Sequence, residues 1–151
     1  MSIIEELKGF ASLTSGRQRN YFDQMLRDAH AVKVVKLTDV LTKAQIDIIR
    51  SLDLRQKECY RNATLISCAI PECKYIEGKF APFGFSIEHA WNEYKGKYFD
   101  ATNELVLNSN PEEIEYVALG EYAVTEVMAI CERWGVYGGI YFTKFKKSIK
   151  H

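Results

Sequence analysis

The sequence predicts an α+β fold, and three observations carry that expectation. Helix stripes and caps fill roughly the first 55 residues. Short β-branched and aromatic runs, punctuated by Gly and Pro, fill the second half. Between them, Asn62 to Pro71 is uncharged, as befits a helix at the centre of the molecule. Helices first and mostly adjacent strands afterwards is the α+β order. The 151 residues suit a single domain, 1–151, with an N-terminal helical layer over about 1–55 and a core over about 56–145.

In chain order, Met1 to Lys8 reads as an amphipathic helix, with Glu5 and Glu6 early. A second helix is expected over about 17–29, with Tyr21, Phe22, Met25 and Leu26 as its apolar stripe. Val32 to Leu37 is β-branched and reads as a strand. Thr42 is placed to cap a helix running to about Leu52, with Ile46 and Ile49 inward. The uncharged helix starts near Cys59 and must stop before Pro71. Lys74 to Glu77 is a short strand ending at Gly78, and Ala81 to Phe85 is a loop. Ile87–Tyr94 and Lys97–Thr102 are strands joined by Lys95-Gly96, a tight hairpin turn. Ile114–Leu119 is another strand. Thr125 opens a helix that Gly135 ends after Arg133, and Val136 to Phe145 is expected to return to the sheet.

Hydrophobic residues at 47% and charged residues at 26% describe a globular chain, not a disordered, collagen-like or coiled-coil one. Lys+Arg and Asp+Glu are 20 each, which argues against a bulk electrostatic grip on nucleic acid or acidic lipid. The lysines at 144, 146, 147 and 150 read as a solvated end. No apolar run approaches the roughly 18 residues of a membrane span. The N-terminus does not look like a secretion signal, so the expected compartment is the cytoplasm. Its reducing conditions would keep Cys59, Cys68, Cys73 and Cys131 as thiols.

Three residues combine into a chemistry: Cys59, His89 and Asp100. Cys59 falls where the central helix begins, and a helix N-terminus favours the negative charge of a thiolate nucleophile. The two-residue turn pairs Tyr94 with Lys97, and hence Trp91 with Asp100 and His89 with Thr102. His89, Trp91 and Asp100 then share a face, and His89 and Asp100 are diagonal neighbours roughly 7–8 Å apart at the backbone. A slip of one residue would separate them. In such a triad the thiol attacks an acyl carbon, the imidazole moves the proton, and the carboxylate orients the ring. The backbone N–H of Cys59 and the side chain of Gln56 are candidate oxyanion donors. Trp91 is a candidate wall or support beside His89. Tyr60, Asn62, Phe83 and Phe85 are candidate substrate contacts, although Asn62 is better suited to bonding a loop backbone.

Cys59, Tyr60 and Ala63, then His89-Ala90-Trp91, then Tyr98-Phe99-Asp100-Ala101-Thr102 resemble the transglutaminase-like superfamily. The resemblance covers about residues 55 to 105. It differs at Glu58 and Tyr60, where that family often has Gly and Trp. It implies a papain-like core, a central Cys-bearing helix packed on an antiparallel sheet carrying His and Asp, with extra N-terminal helices here. It also implies a cysteine hydrolase or acyltransferase working through a thioester on an amide or related acyl bond. Proteases, amidases, deamidases and transglutaminases belong to that class. No cofactor or metal is implied. The partner would be a protein, a peptide or a small amide, with neither membrane nor nucleic acid. The alternative is a non-catalytic interaction module using the aromatic loop from Phe80 to Phe85. A zinc site at Cys68 and Cys73, joined by Cys131 or His30, has poor ligand spacing and is not expected.

Overall fold

A computed structural model describes residues 2–143. The chain runs α1 (Ile3–Ser12), α2 (Gly16–Asp28), β1 (His30–Val32), β2 (Val34–Val35), α3 (Lys43–Arg50), α4 (Cys59–Ala69), β3 (Lys74–Ala81), β4 (Ile87–Tyr94), β5 (Lys97–Phe99), β6 (Glu115–Tyr122) and α5 (Val124–Trp134). It is a mixed α+β molecule built on one curled six-stranded sheet in the order β1-β6-β3-β4-β5-β2.

The helices start where their caps dictate. Ser2 and Thr42 each accept a hydrogen bond from the backbone N–H three residues on, and Glu5 and Gln45 reach back to the cap N–H groups. At the end of α5, Gly135 takes the left-handed conformation at φ 69° that closes a helix. Ala123, not Thr125, is the residue ahead of α5, and Glu126 accepts its N–H.

The sheet curls because its two margins are neighbours in sequence. β1 pairs antiparallel with β6, and β2 pairs parallel with β5, with Lys33 alone between them. The expected single strand over 32–37 is therefore two very short ones on opposite margins, followed by a 3-10 turn at Leu37–Asp39. The concave face holds Val34, Ile76, Phe80, Trp91, Tyr116 and Ala118. On the convex face, Val117 and Leu119 pack against α1 and α2, while Phe99 packs with α3 and α4. Tyr75 and Ala90 meet α4 and α5. Alternation along each strand sends neighbours to opposite faces, so Ala90 and Asn92 look toward α4 while His89 and Trp91 look into the curl.

Three other expectations are corrected. β3 does not end at Gly78 but continues to Ala81, because Gly78 lets β6 come close across a bulge beside Glu77. The strand expected over 97–102 stops at Phe99, and Thr102–Val106 forms a wide helical turn. Residues 136–143 do not rejoin the sheet. A helical turn begins at Ile140 because buried Glu77 accepts the N–H groups of Ile140 and Tyr141 at 2.7 and 3.0 Å, capping it. The rest of that stretch, and the lysines of the tail, lie outside the described residues. Among the described residues no helix is long and apolar enough to cross a membrane.

Candidate active site

Cys59 is the first residue of α4, partly buried, with Lys57 two residues earlier in the left-handed region at φ 62°. That sharp approach is stabilised by Asn62. Its side-chain oxygen accepts the Arg55 N–H at 3.0 Å, and its amide donates to the Arg55 carbonyl at 2.8 Å and to Thr102 Oγ1 at 3.0 Å. Asn62 thus ties the loop before Cys59 to the end of the hairpin. It is fully buried at 0% exposure, which corrects its expected place among the substrate contacts.

The hairpin register is the one its turn dictates: Tyr94 opposite Lys97, Glu93 opposite Tyr98, Asn92 opposite Phe99. β5 ends there, so the part of β4 before Asn92 has no β5 partner. α4 begins alongside this open stretch. Cys59 packs against the cluster containing Ala90 and lines the same cleft as His89, close enough to act on its ring. His89 Nε2 lies 2.7 Å from Asp100 Oδ2, which leaves Nδ1 for the sulfur.

His89 is 4% exposed. Burial works against a charged ring. The Asp100 carboxylate and its hydrogen bond, with the contact from Cys59, more than offset it and raise the pKa from 6.5 to about 10. Such a ring is imidazolium at neutral pH, the form that steadies a neighbouring thiolate and can protonate a leaving group. Asp100 is itself held. Tyr116 donates to Oδ2 at 2.7 Å, and the Asn103 N–H donates to Oδ1 at 3.2 Å. The Asn103 amide in turn donates to the Tyr116 hydroxyl at 3.1 Å. The ring of Phe80 stacks on His89 with centroids 3.7 Å apart and planes 11° apart.

A cleft of about 780 Å³ opens over these groups, within the range of small-ligand sites. Cys59, His89, Gln56 and Phe83 line it. Trp91, expected as wall or support, is buried behind His89 with ring centroids 6.0 Å apart, so it backs the imidazole without reaching the cleft. Tyr60 is drawn off toward Glu88, 3.4 Å from its hydroxyl, and packs with Tyr75 and Gly138. Phe85 is exposed but is not among the residues lining the cleft.

Sequence reasoning missed Tyr116, Asn103 and the stacking role of Phe80. Asn103 had a local signal, since an Asp accepting an N–H three residues on is a common turn device. Tyr116 had none, because it reaches Asp100 from another strand. Compared with protein-family models, curated proteins and solved structures, the chain matches none. The four cysteines are free thiols. Cys68, expected inside the apolar helix, is exposed, since the buried side of α4 is made by Asn62, Ala63, Thr64, Ile66 and Ser67. Among the described residues no group of three His, Cys, Asp or Glu side chains could hold a metal ion.

Proposed function

We propose that this protein is a cysteine hydrolase or acyltransferase that cleaves an amide or related acyl bond, on a papain-like core of the transglutaminase-like kind. One observation carries the reading: a thiol at a helix start and an imidazole line one open cleft, and the imidazole is hydrogen-bonded to a buried carboxylate behind it. The order of the three residues along the chain and the helix-on-sheet arrangement support the resemblance.

In this reading the proton given up by the Cys59 thiol is the one His89 already carries, and the sulfur attacks the acyl carbon, forming a C–S bond as the carbonyl becomes an oxyanion. The Cys59 N–H, which as a first-turn donor has no partner within the helix, and the Gln56 amide stabilise that oxyanion. The C–N or C–O bond then breaks, and His89 returns its proton to the departing amine or alcohol. The thioester left behind is attacked by water or by an amine whose proton His89 accepts. The product leaves with its new C–O or C–N bond, and the thiol is restored. Asp100 orients the ring throughout.

Alkylation by iodoacetamide at neutral pH, mapped by mass spectrometry, tests this. Cys59 is expected to react at least about tenfold faster than Cys68, the exposed thiol, and His89→Asn is expected to remove that advantage. Cys73 is buried, and that burial pushes its thiol up to about 12, so it serves as the silent control. Equal rates at Cys59 and Cys68, indifferent to His89, would favour the interaction module that exposed Phe83 and Phe85 could serve. With an acyl substrate in hand, Cys59→Ser and His89→Ala should abolish turnover, and Asp100→Ala should retain the most of the three.

A further inference from the structure

We infer that the cleft selects substrates carrying a large apolar group, aryl or branched alkyl, next to the reactive carbonyl; this rests on the catalytic reading above. Apart from the reacting groups, its walls are mostly apolar. Phe80, Pro82 and Phe83 come from the end of β3 and the loop beyond, Ile87 from the start of β4, and Leu107 and Ile114 from the segments before β6. Phe83 at 78% exposure, Leu107 at 44% and Ile87 at 38% are large side chains left in solvent around one opening. A contiguous patch of that kind around a cleft marks a surface that a ligand covers. The charged residues of the lining are Lys57, Glu88 and Glu113, so neither sign dominates.

Two features tie this wall to the reaction centre. Phe80 stacks on the His89 ring and also faces the cleft, so an apolar group on that wall lies one ring thickness from the imidazole. The loop bearing Phe83 is anchored as well. Ser86 donates its N–H and its hydroxyl to the Glu6 carboxylate at 3.0 and 2.5 Å, which fastens the loop to α1. Phe83 is therefore part of a preformed wall, and the N-terminal helix contributes to substrate choice from outside the cleft.

Three chloromethyl ketones with one warhead, N-acetyl-phenylalanyl, N-acetyl-aspartyl and N-acetyl-lysyl, test the inference on the full chain, with Cys59 modification read by mass spectrometry. The phenylalanyl reagent is expected to react at least about tenfold faster than the other two, the scale of discrimination an apolar pocket gives. Phe83→Ser with Leu107→Ser should bring the ratio close to one, and Glu6→Ala should lower it by loosening the loop. Equal rates for the three reagents, a faster charged reagent, or a ratio untouched by these variants would overturn the selectivity while leaving the catalytic reading standing. Circular dichroism of each variant separates lost selectivity from lost fold. If Cys59 reacts no faster with iodoacetamide than Cys68 does, the catalytic reading falls and this one falls with it.

Discussion

His89 is the residue on which the site turns. Its ring lies between Phe80 and Trp91, with one nitrogen on Asp100 and Cys59 close by in the same cleft. It binds its proton more tightly when folded than the ordinary 6.5 of an unfolded histidine, because Asp100 outweighs the effect of burial and holds the ring to about 10. That proton therefore favours folding fully below about pH 6.5, and its contribution fades as pH rises through 10. The stability gap between the native protein and His89→Asn should be widest near pH 6 and should shrink by on the order of 4 kcal/mol toward pH 10. Urea denaturation at both pH values measures it, and a gap independent of pH would mean that the ring is neutral in the folded state. At this scale the placement of Cys59, His89 and Asp100 was legible in the sequence, since Cys59 opens a helix and His89 and Asp100 are set by one turn. The donors that hold Asp100 were not, because Tyr116 comes from a strand whose neighbours no local pattern reveals.

The elements divide in the same way. Those with local punctuation were readable: α1 from its amphipathic pattern with early acids, α3 from its Thr42 cap, the β4–β5 hairpin from Lys95-Gly96, and the close of α5 from Gly135. Those decided by distant partners were not. The turn at Ile140 exists because Glu77, on β3, supplies its cap. β3 depends in turn on Gly78, which pairs with His89 on one side and faces β6 across a bulge on the other. A methyl group there would lie 2.1 Å from the Val117 carbonyl oxygen and 2.7 Å from the Trp91 ring. The first is main chain and cannot swing aside, so Gly78→Ala should destabilise the protein by about 3 kcal/mol, the upper end of overpacking costs. It should also disturb the packing behind His89. The urea midpoint and the rate of Cys59 alkylation should fall together, and a midpoint unchanged within error would contradict this account of the close approach.

At the scale of the whole molecule, the run from His30 to Val35 joins the two margins of the sheet, its first half on β6 and its second on β5. Val32 and Val34 both point into the concave core. An alanine inserted after Lys33 would turn one of them outward, because side chains alternate with a period of two. The loss of one buried valine amounts to about 2 kcal/mol before any broken ladder bonds are counted. The insertion should therefore lower stability by at least that much, whereas the same insertion at Lys95-Gly96, in an exposed turn, should cost less; thermal unfolding of the two variants compares them. Nothing in the sequence marks this arrangement. The run from Val32 to Leu37, expected as one strand, is divided at Lys33 by partners more than 60 positions away.

A buckle of this kind also governs how the molecule meets other copies of itself. The outermost rungs of the ladder are three and two residues long, too short to template a stranger's backbone. Any fibrillar pairing between molecules must wait until the buckle comes undone.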